Sequence, residues 1–192
     1  MQMKDTAIET FHPASQKEWR KWLQKHHVSK QCIWLIYYKQ STGKPSLSWS
    51  DAVDEALCFG WIDSTARPVD EERYMQYFCK RKPNSVWSRI NKEKVERLIA
   101  NGQMTQAGLD SIAIAKQNGA WTSIDAVEAL EVPKDLAKAL STHKGAKACF
   151  ESLSKSVKKQ LLHRIAMAKR PETRTKRIAD VVAEVLEKMK KI

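Results

Sequence analysis

At 192 residues, with 42% hydrophobic content and seven tryptophans, the chain is long and apolar enough to bury a core, which excludes wholesale disorder. No apolar run approaches the roughly 20 residues of a membrane-spanning helix, so helical membrane insertion is excluded as well. The formal net charge of +12 is uneven: residues 144–192 hold 14 Lys/Arg against 5 Asp/Glu (+9), the first 143 hold 20 against 17 (+3), and an electrostatic partner is expected at the C-terminal quarter.

The N-terminal run Met1-Gln2-Met3-Lys4-Asp5-Thr6 has no apolar stretch behind its lysine, which predicts no secretory signal and a soluble, cytoplasmic protein. Ser15-Gln16-Lys17-Glu18 reads as a capping box, and Trp19, Trp22, Leu23 and His26 behind it make the stripe of an amphipathic helix. Cys32 to Tyr38 is apolar, aromatic and β-branched throughout, as a central strand covered on both faces would be. Ser41-Thr42-Gly43-Lys44-Pro45 turns the chain. Ser50 is expected to cap a helix over Asp51 to Phe59, with Val53, Ala56 and Leu57 inward and Gly60 at its C′ position. Trp61 to Val69 and Glu72 to Lys80 read as a hairpin about Asp70-Glu71, and strict alternation puts Trp61, Asp63, Thr65 and Arg67 on one face.

After Pro83 the hydrophobic period changes from two to 3.6. A helix defined by Ile90, Lys94, Val95, Leu98 and Ile99 closes at Asn101-Gly102, and Ser85 or Ser88 is placed to cap it. A second, Gln106 to Asn118, turns Leu109, Ile112 and Ala115 inward. Short helical segments follow around Ser123 to Leu130 and from Pro133 through Leu140. Two more helices meet at a hinge where Pro171 suits position N1, with Val157, Leu161 and Ile165 before it and Ile178, Val181, Val182, Val185, Leu186 and Met189 after it. The fold class expected is α+β: a small, mostly antiparallel sheet with flanking helices, then a helical C-terminal part. The expected divisions are 1–82, 83–142 and 143–192.

Cys32, Cys58, Cys79 and Cys149 are scattered with no CxxC pair, and reduced, buried thiols are expected. The five histidines form no HxxxH or HExxH pattern, so neither a metal nor any other cofactor is expected.

Four segments carry a family resemblance: Glu55-Ala56-Leu57-Cys58-Phe59-Gly60-Trp61-Ile62-Asp63, Arg81-Lys82-Pro83-Asn84-Ser85-Val86-Trp87-Ser88, Asn101-Gly102-Gln103-Met104 and Ala168-Lys169-Arg170-Pro171-Glu172-Thr173-Arg174. Together they resemble the YdeI/OmpD-associated family over about Phe11 to Lys188. The resemblance implies a role in bacteriocin protection or resistance to cationic antimicrobial peptides, with no enzymatic reaction attached. A chain at +12 repels a cationic peptide at long range, so an indirect, accessory role in resistance or stress is the expectation.

Two constellations stand out. Trp61, Asp63, Arg67, Arg81, Lys82, Trp87, Ser88 and Asn91 combine aromatic walls with cations and hydrogen-bonding groups, which suits a small anionic ligand or an acidic protein segment. The same residues also admit a structural reading, in which both tryptophans are core and Asp63 pairs with Arg67 or Arg81. No catalytic set is legible; Asp63 is the one candidate base, for an enzyme acting on an anionic small molecule. Lys169, Arg170, Arg174, Lys176 and Arg177 cluster at the helical hinge, where they can contact nucleic-acid phosphates or another anion, or form a solvated face.

Overall fold

A computed structural model describes residues 8–190; the N-terminal run from Met1 to Thr6 lies outside the described residues. The chain divides into two compact units. The first comprises the chain up to Ser85 together with Ile90–Ala120, the second Val86–Arg89 together with the chain from Trp121 onward. No described helix is long and apolar enough to cross a membrane.

The first unit is built on a four-stranded sheet in the order β1-β2-β4-β3: β1 Thr10–Phe11, β2 Cys32–Tyr38, β3 Trp61–Pro68 and β4 Arg73–Lys80. β1 lies parallel to β2, and the other pairs are antiparallel, so the expected α+β class with a small, mostly antiparallel sheet holds. Helix α1 (Gln16–His26) starts at Ser15, whose Oγ accepts the Glu18 amide at 3.3 Å while Glu18 Oε2 takes the Ala14 amide at 2.6 Å. Its apolar stripe meets one face of the sheet. Trp19 packs edge-on to Phe78 at 5.6 Å, and its Nε1 donates to Ala52 O of α2 (Trp49–Cys58).

Helix α2 begins two residues earlier than its sequence suggests. Ser48, not Ser50, is the N-cap: its Oγ accepts the Asp51 amide at 3.1 Å and donates to Asp51 Oδ2 at 2.7 Å. Residues 52–59 are all buried, so α2 is enclosed on every side from Ala52 onward. Gly60 follows at φ +71°, a conformation that turns the chain directly into β3.

The β3–β4 hairpin forms about Asp70-Glu71, but its register shifts between Asp63, opposite Phe78, and Ala66, opposite Gln76. Two residues of β3 there oppose one of β4, which is a β-bulge. Alternation therefore restarts after Thr65. Asp63 shares the α1/α2 face with Phe78 and Gln76, whereas Arg67, opposite Met75, joins Trp34 and Tyr77 on the other face. The expectation that Asp63 and Arg67 share a face is corrected by this one inserted residue.

Two helices complete the unit: α3 (Arg89–Ala100), which belongs to it from Ile90 and buries Val95 and Leu98, and α4 (Gln106–Gln117). Helix α4 buries Gly108, Ile112 and Ala115; Leu109, expected inward, is exposed. Of the stripe expected on α3, Val95 and Leu98 are buried but its two ends, Ile90 and Ile99, are exposed.

The second unit is helical: α5 (Asp125–Glu128), α6 (Lys134–Ser141), α7 (Ala146–Ser152), α8 (Lys155–Ala166) and α9 (Pro171–Met189). Its core gathers Leu136, Leu140, Phe150, Leu161, Leu162, Ile165, Val181 and Val185. Helix α7 was not expected from the sequence, although Ala146, Cys149 and Phe150 are buried at i, i+3, i+4. Pro171 opens α9 behind Arg170 at the N-cap, as expected.

Candidate functional site

Gly60 and the bulge set the first constellation. Asp63 Oδ2 accepts from Trp49 Nε1 at 2.9 Å and from Gln76 Nε2 at 3.0 Å, and Gln76 Nε2 also donates to Ser64 O at 3.1 Å. Gln76 is buried because it bridges the carboxylate and the loosened backbone of the bulge. Arg81 N donates to Gly60 O at 2.9 Å, tying the end of the hairpin back to the end of α2. Burial lowers the Arg81 guanidinium to about 10, while the charge of Asp63 works against that shift. Asp63 and Arg81 therefore belong to one electrostatic neighbourhood, with Lys82 exposed beside it.

The other members are dispersed. Trp61 has no exposed surface; it lies edge-on to Trp22 at 5.8 Å, and its Nε1 points to His27 O. Arg67 is on the opposite sheet face with its guanidinium 5.1 Å from the Trp34 ring centroid. Asn91 is half-buried on α3. Trp87 and Ser88 belong to the second unit, where Trp87 is buried with its ring 5.0 Å from that of Trp121.

The two most deeply buried charges of the first unit are Asp54 and Glu55 on α2, neither of which the sequence placed in a candidate site; Asp54 read only as an early helix acid favoured by the dipole. They project to different neighbours. Asp54 meets Lys94 and Arg97 of α3, each at 2.5 Å. Glu55 takes Arg20 Nη1 at 2.7 Å and Gln16 Nε2 at 2.9 Å from α1, and Arg20 continues to Gln103 O at 2.8 Å. The available signal was Ala52, Val53, Ala56, Leu57, Cys58 and Phe59 surrounding the pair, since acids on a helix buried all round must be paired. Among the described residues, no group of three or more His, Cys, Asp or Glu is placed to hold a metal ion.

In the second unit the five hinge cations separate into two kinds. Arg174 makes a two-pronged pair with Asp135, Nε to Oδ2 at 2.7 Å and Nη2 to Oδ1 at 3.1 Å. Arg177 donates to Arg164 O at 2.5 Å, in the last turn of α8, where carbonyls lack helical partners and the helix dipole favours a cation. Lys169, Arg170 and Lys176 are exposed, and none makes a side-chain hydrogen bond or ion pair among the described residues. Arg174 lines a cavity of about 170 Å³ together with Ala126, Val127, Glu131, Pro133, Leu162, Ile165 and Ala166.

Residues 11–111 match the family model described as a domain of unknown function, DUF8412, which spans more than half of the chain. Residues 129–188 match the model described as bacteriocin-protection, YdeI or OmpD-associated. The chain belongs to the DUF8412 family and carries a YdeI/OmpD-associated segment in its C-terminal part. No curated protein and no solved structure matches it.

These extents sort the two constellations. The four motifs that suggested one family fall under two models: the first three lie within the DUF8412 region, and the Ala168 to Arg174 run lies within the YdeI/OmpD-associated segment. Asp63, Gln76 and Arg81 are thus features of the former, and the hinge cations and the cavity lining from Glu131 to Arg174 are features of the latter.

Proposed function

We propose that the protein is a cytoplasmic accessory of antimicrobial resistance or stress response that works by binding an acidic protein segment at the corner between α8 and α9. The observation that carries this reading is the division of the hinge cluster. Arg174 and Arg177 are consumed by Asp135 and by the end of α8, whereas Lys169, Arg170 and Lys176 present their charges outward. Three outward cations at one helix–helix corner, in a segment at +9, favour an anionic partner both in steering and in contact. The words bacteriocin-protection in the family description supply the biological setting. The sign of the charge supports an indirect route to protection, because a cationic peptide is repelled by this surface.

The test is a titration of the full chain with a labelled acidic peptide and with single- and double-stranded oligonucleotides across a salt series. The comparison is a variant carrying Lys169→Gln, Arg170→Gln and Lys176→Gln. Binding of the acidic peptide that weakens in the variant, with a shallower salt dependence, is the expected result. Oligonucleotides binding far more tightly than the peptide, and losing salt slope in the variant, would move the reading to nucleic acid. Equal binding by both proteins would remove this corner from consideration.

A further inference from the structure

Cys32 and Cys79 are 47 residues apart in sequence and directly opposite one another in the sheet, Cys32 on β2 and Cys79 on β4. The Lys80 amide donates to Gln31 O at 3.0 Å just outside the pair, so the two cysteines occupy a non-hydrogen-bonded site of the antiparallel ladder. Such sites bring Cα atoms to about 4.5 Å with both side chains on the same face, at the short end of the roughly 4.4–6.8 Å range that a disulfide accepts. Both cysteines are free thiols and half-exposed, whereas Cys58 and Cys149 are buried in α2 and α7. No other two cysteines of the chain share a register position in the sheet.

We infer that Cys32 and Cys79 form a redox-active dithiol that a small-molecule disulfide of the glutathione class converts to a cross-strand disulfide. Tyr77, two residues before Cys79 on β4 and opposite Trp34, lies on the same face as the pair. The Cys79 thiol is held above its ordinary value, chiefly by burial, against the pull of Lys82 and Arg81. The exchange runs to the same product from either sulfur, for instance from Cys32. Its thiolate displaces one glutathione thiolate and becomes a mixed disulfide. Cys79 then loses its proton, its sulfur attacks the Cys32 sulfur, and the second glutathione leaves. Two protein thiols are oxidised, one glutathione disulfide is reduced to two thiols, and the two protons released pass to the glutathione thiolates. The short Cα spacing and the half-exposed position put the bond among those that are readily reduced again.

The full chain, held natively at graded ratios of reduced to oxidised glutathione, quenched by alkylation and mapped without reduction, tests this. Two of the four thiols should disappear together as a single Cys32–Cys79 cross-linked peptide pair, and dithiothreitol should restore both. In Cys79→Ser the product should instead stop as a glutathione adduct on Cys32. Four thiols surviving a large excess of oxidised glutathione would overturn the inference. So would glutathione adducts on both sulfurs without a cross-link, or cross-links that involve Cys58 or Cys149. The decisive map is made on the unaltered chain and does not depend on the folding of the variant.

Discussion

Lys94 of α3 reaches Asp54 of α2 with Nζ 2.5 Å from Oδ1, and the side chains of both residues are almost wholly withdrawn from water, at 12% and 8% exposure. Lys94 also donates to Ser50 Oγ at 2.8 Å and Ser50 O at 3.2 Å, so its ammonium is bonded at three points on one helix. Removing the acid strands a buried cation beside a second one, Arg97. Asp54→Ala should therefore cost about 3–5 kcal/mol. Arg97→Ala, at a side chain that is half exposed, should cost no more than about 1 kcal/mol. Urea unfolding of the two variants checks the asymmetry; equal losses would mean that Asp54 is not the centre of the clamp.

Tyr37 is 1% exposed, stacked on Tyr74 with ring centroids 5.1 Å apart and planes 14° apart, and its hydroxyl meets no hydrogen-bond partner among the described residues. Burial holds that phenol far above its ordinary range. A buried hydroxyl that makes no bond has surrendered its hydration without return. Tyr37→Phe keeps the stacking and removes the penalty, so it should leave stability unchanged or raise it by about 1 kcal/mol. A loss of about 2 kcal/mol or more in thermal or urea unfolding, the size of a charged-group hydrogen bond, would show that the hydroxyl is bonded.

Gly108 is the point where α4 rests on the end of α2. A Cβ there would stand 2.8 Å from Leu57 O and would also strike Cys58 O and the end of the Met104 side chain. Two of these three obstacles are backbone, which has nowhere to go. Gly108→Ala should destabilise by about 1–3 kcal/mol despite alanine's better helix propensity. Gly102→Ala, at an open site, provides a comparison in which only the positive φ is strained. Thermal unfolding of the two variants separates the clash from the strain.

The difference between Gly108 and Leu109 illustrates where sequence patterning stops. Periodicity located α4 within a residue, but it assigned the buried face by hydrophobicity, and close helix packing had selected the residue without a side chain. The same holds in the sheet. Composition and turn signals located β2, β3, β4 and the hairpin, yet one inserted residue between Asp63 and Ala66 moved Arg67 to the other face. Nothing in the local sequence marks that bulge; Gln76, which supports it, is on the partner strand. Cys32 and Cys79 looked scattered because spacing along the chain carries no register, and register is what brings them together. At the hinge the cations were legible as a cluster. Their division into committed and free depended on Asp135, 39 residues from Arg174, and on the carbonyl end of α8.

The Arg174–Asp135 pair supplies a pH-dependent prediction about that hinge. The hydrogen bond from Arg174 holds the Asp135 carboxyl below its ordinary value, against a smaller opposing effect of burial. A carboxyl depressed in the folded state stabilises fully above its unfolded value, about 3.9, and the contribution is lost as pH falls through the lowered folded value. Arg174→Gln should return Asp135 towards about 3.9 in a carboxyl NMR titration. With the side chains 34% and 44% exposed, the pair itself is worth no more than about 1 kcal/mol at neutral pH. The stability gap between wild type and variant should therefore be widest above about pH 5 and shrink in strong acid, where both proteins hold a neutral Asp135. Whatever gap survives there belongs to Arg174 contacts that do not titrate, such as its approach to Ile165 O at 3.5 Å. A gap that stays constant across the acid range would mean that Arg174 is not engaged by Asp135 in solution and joins Lys169, Arg170 and Lys176 as an outward charge.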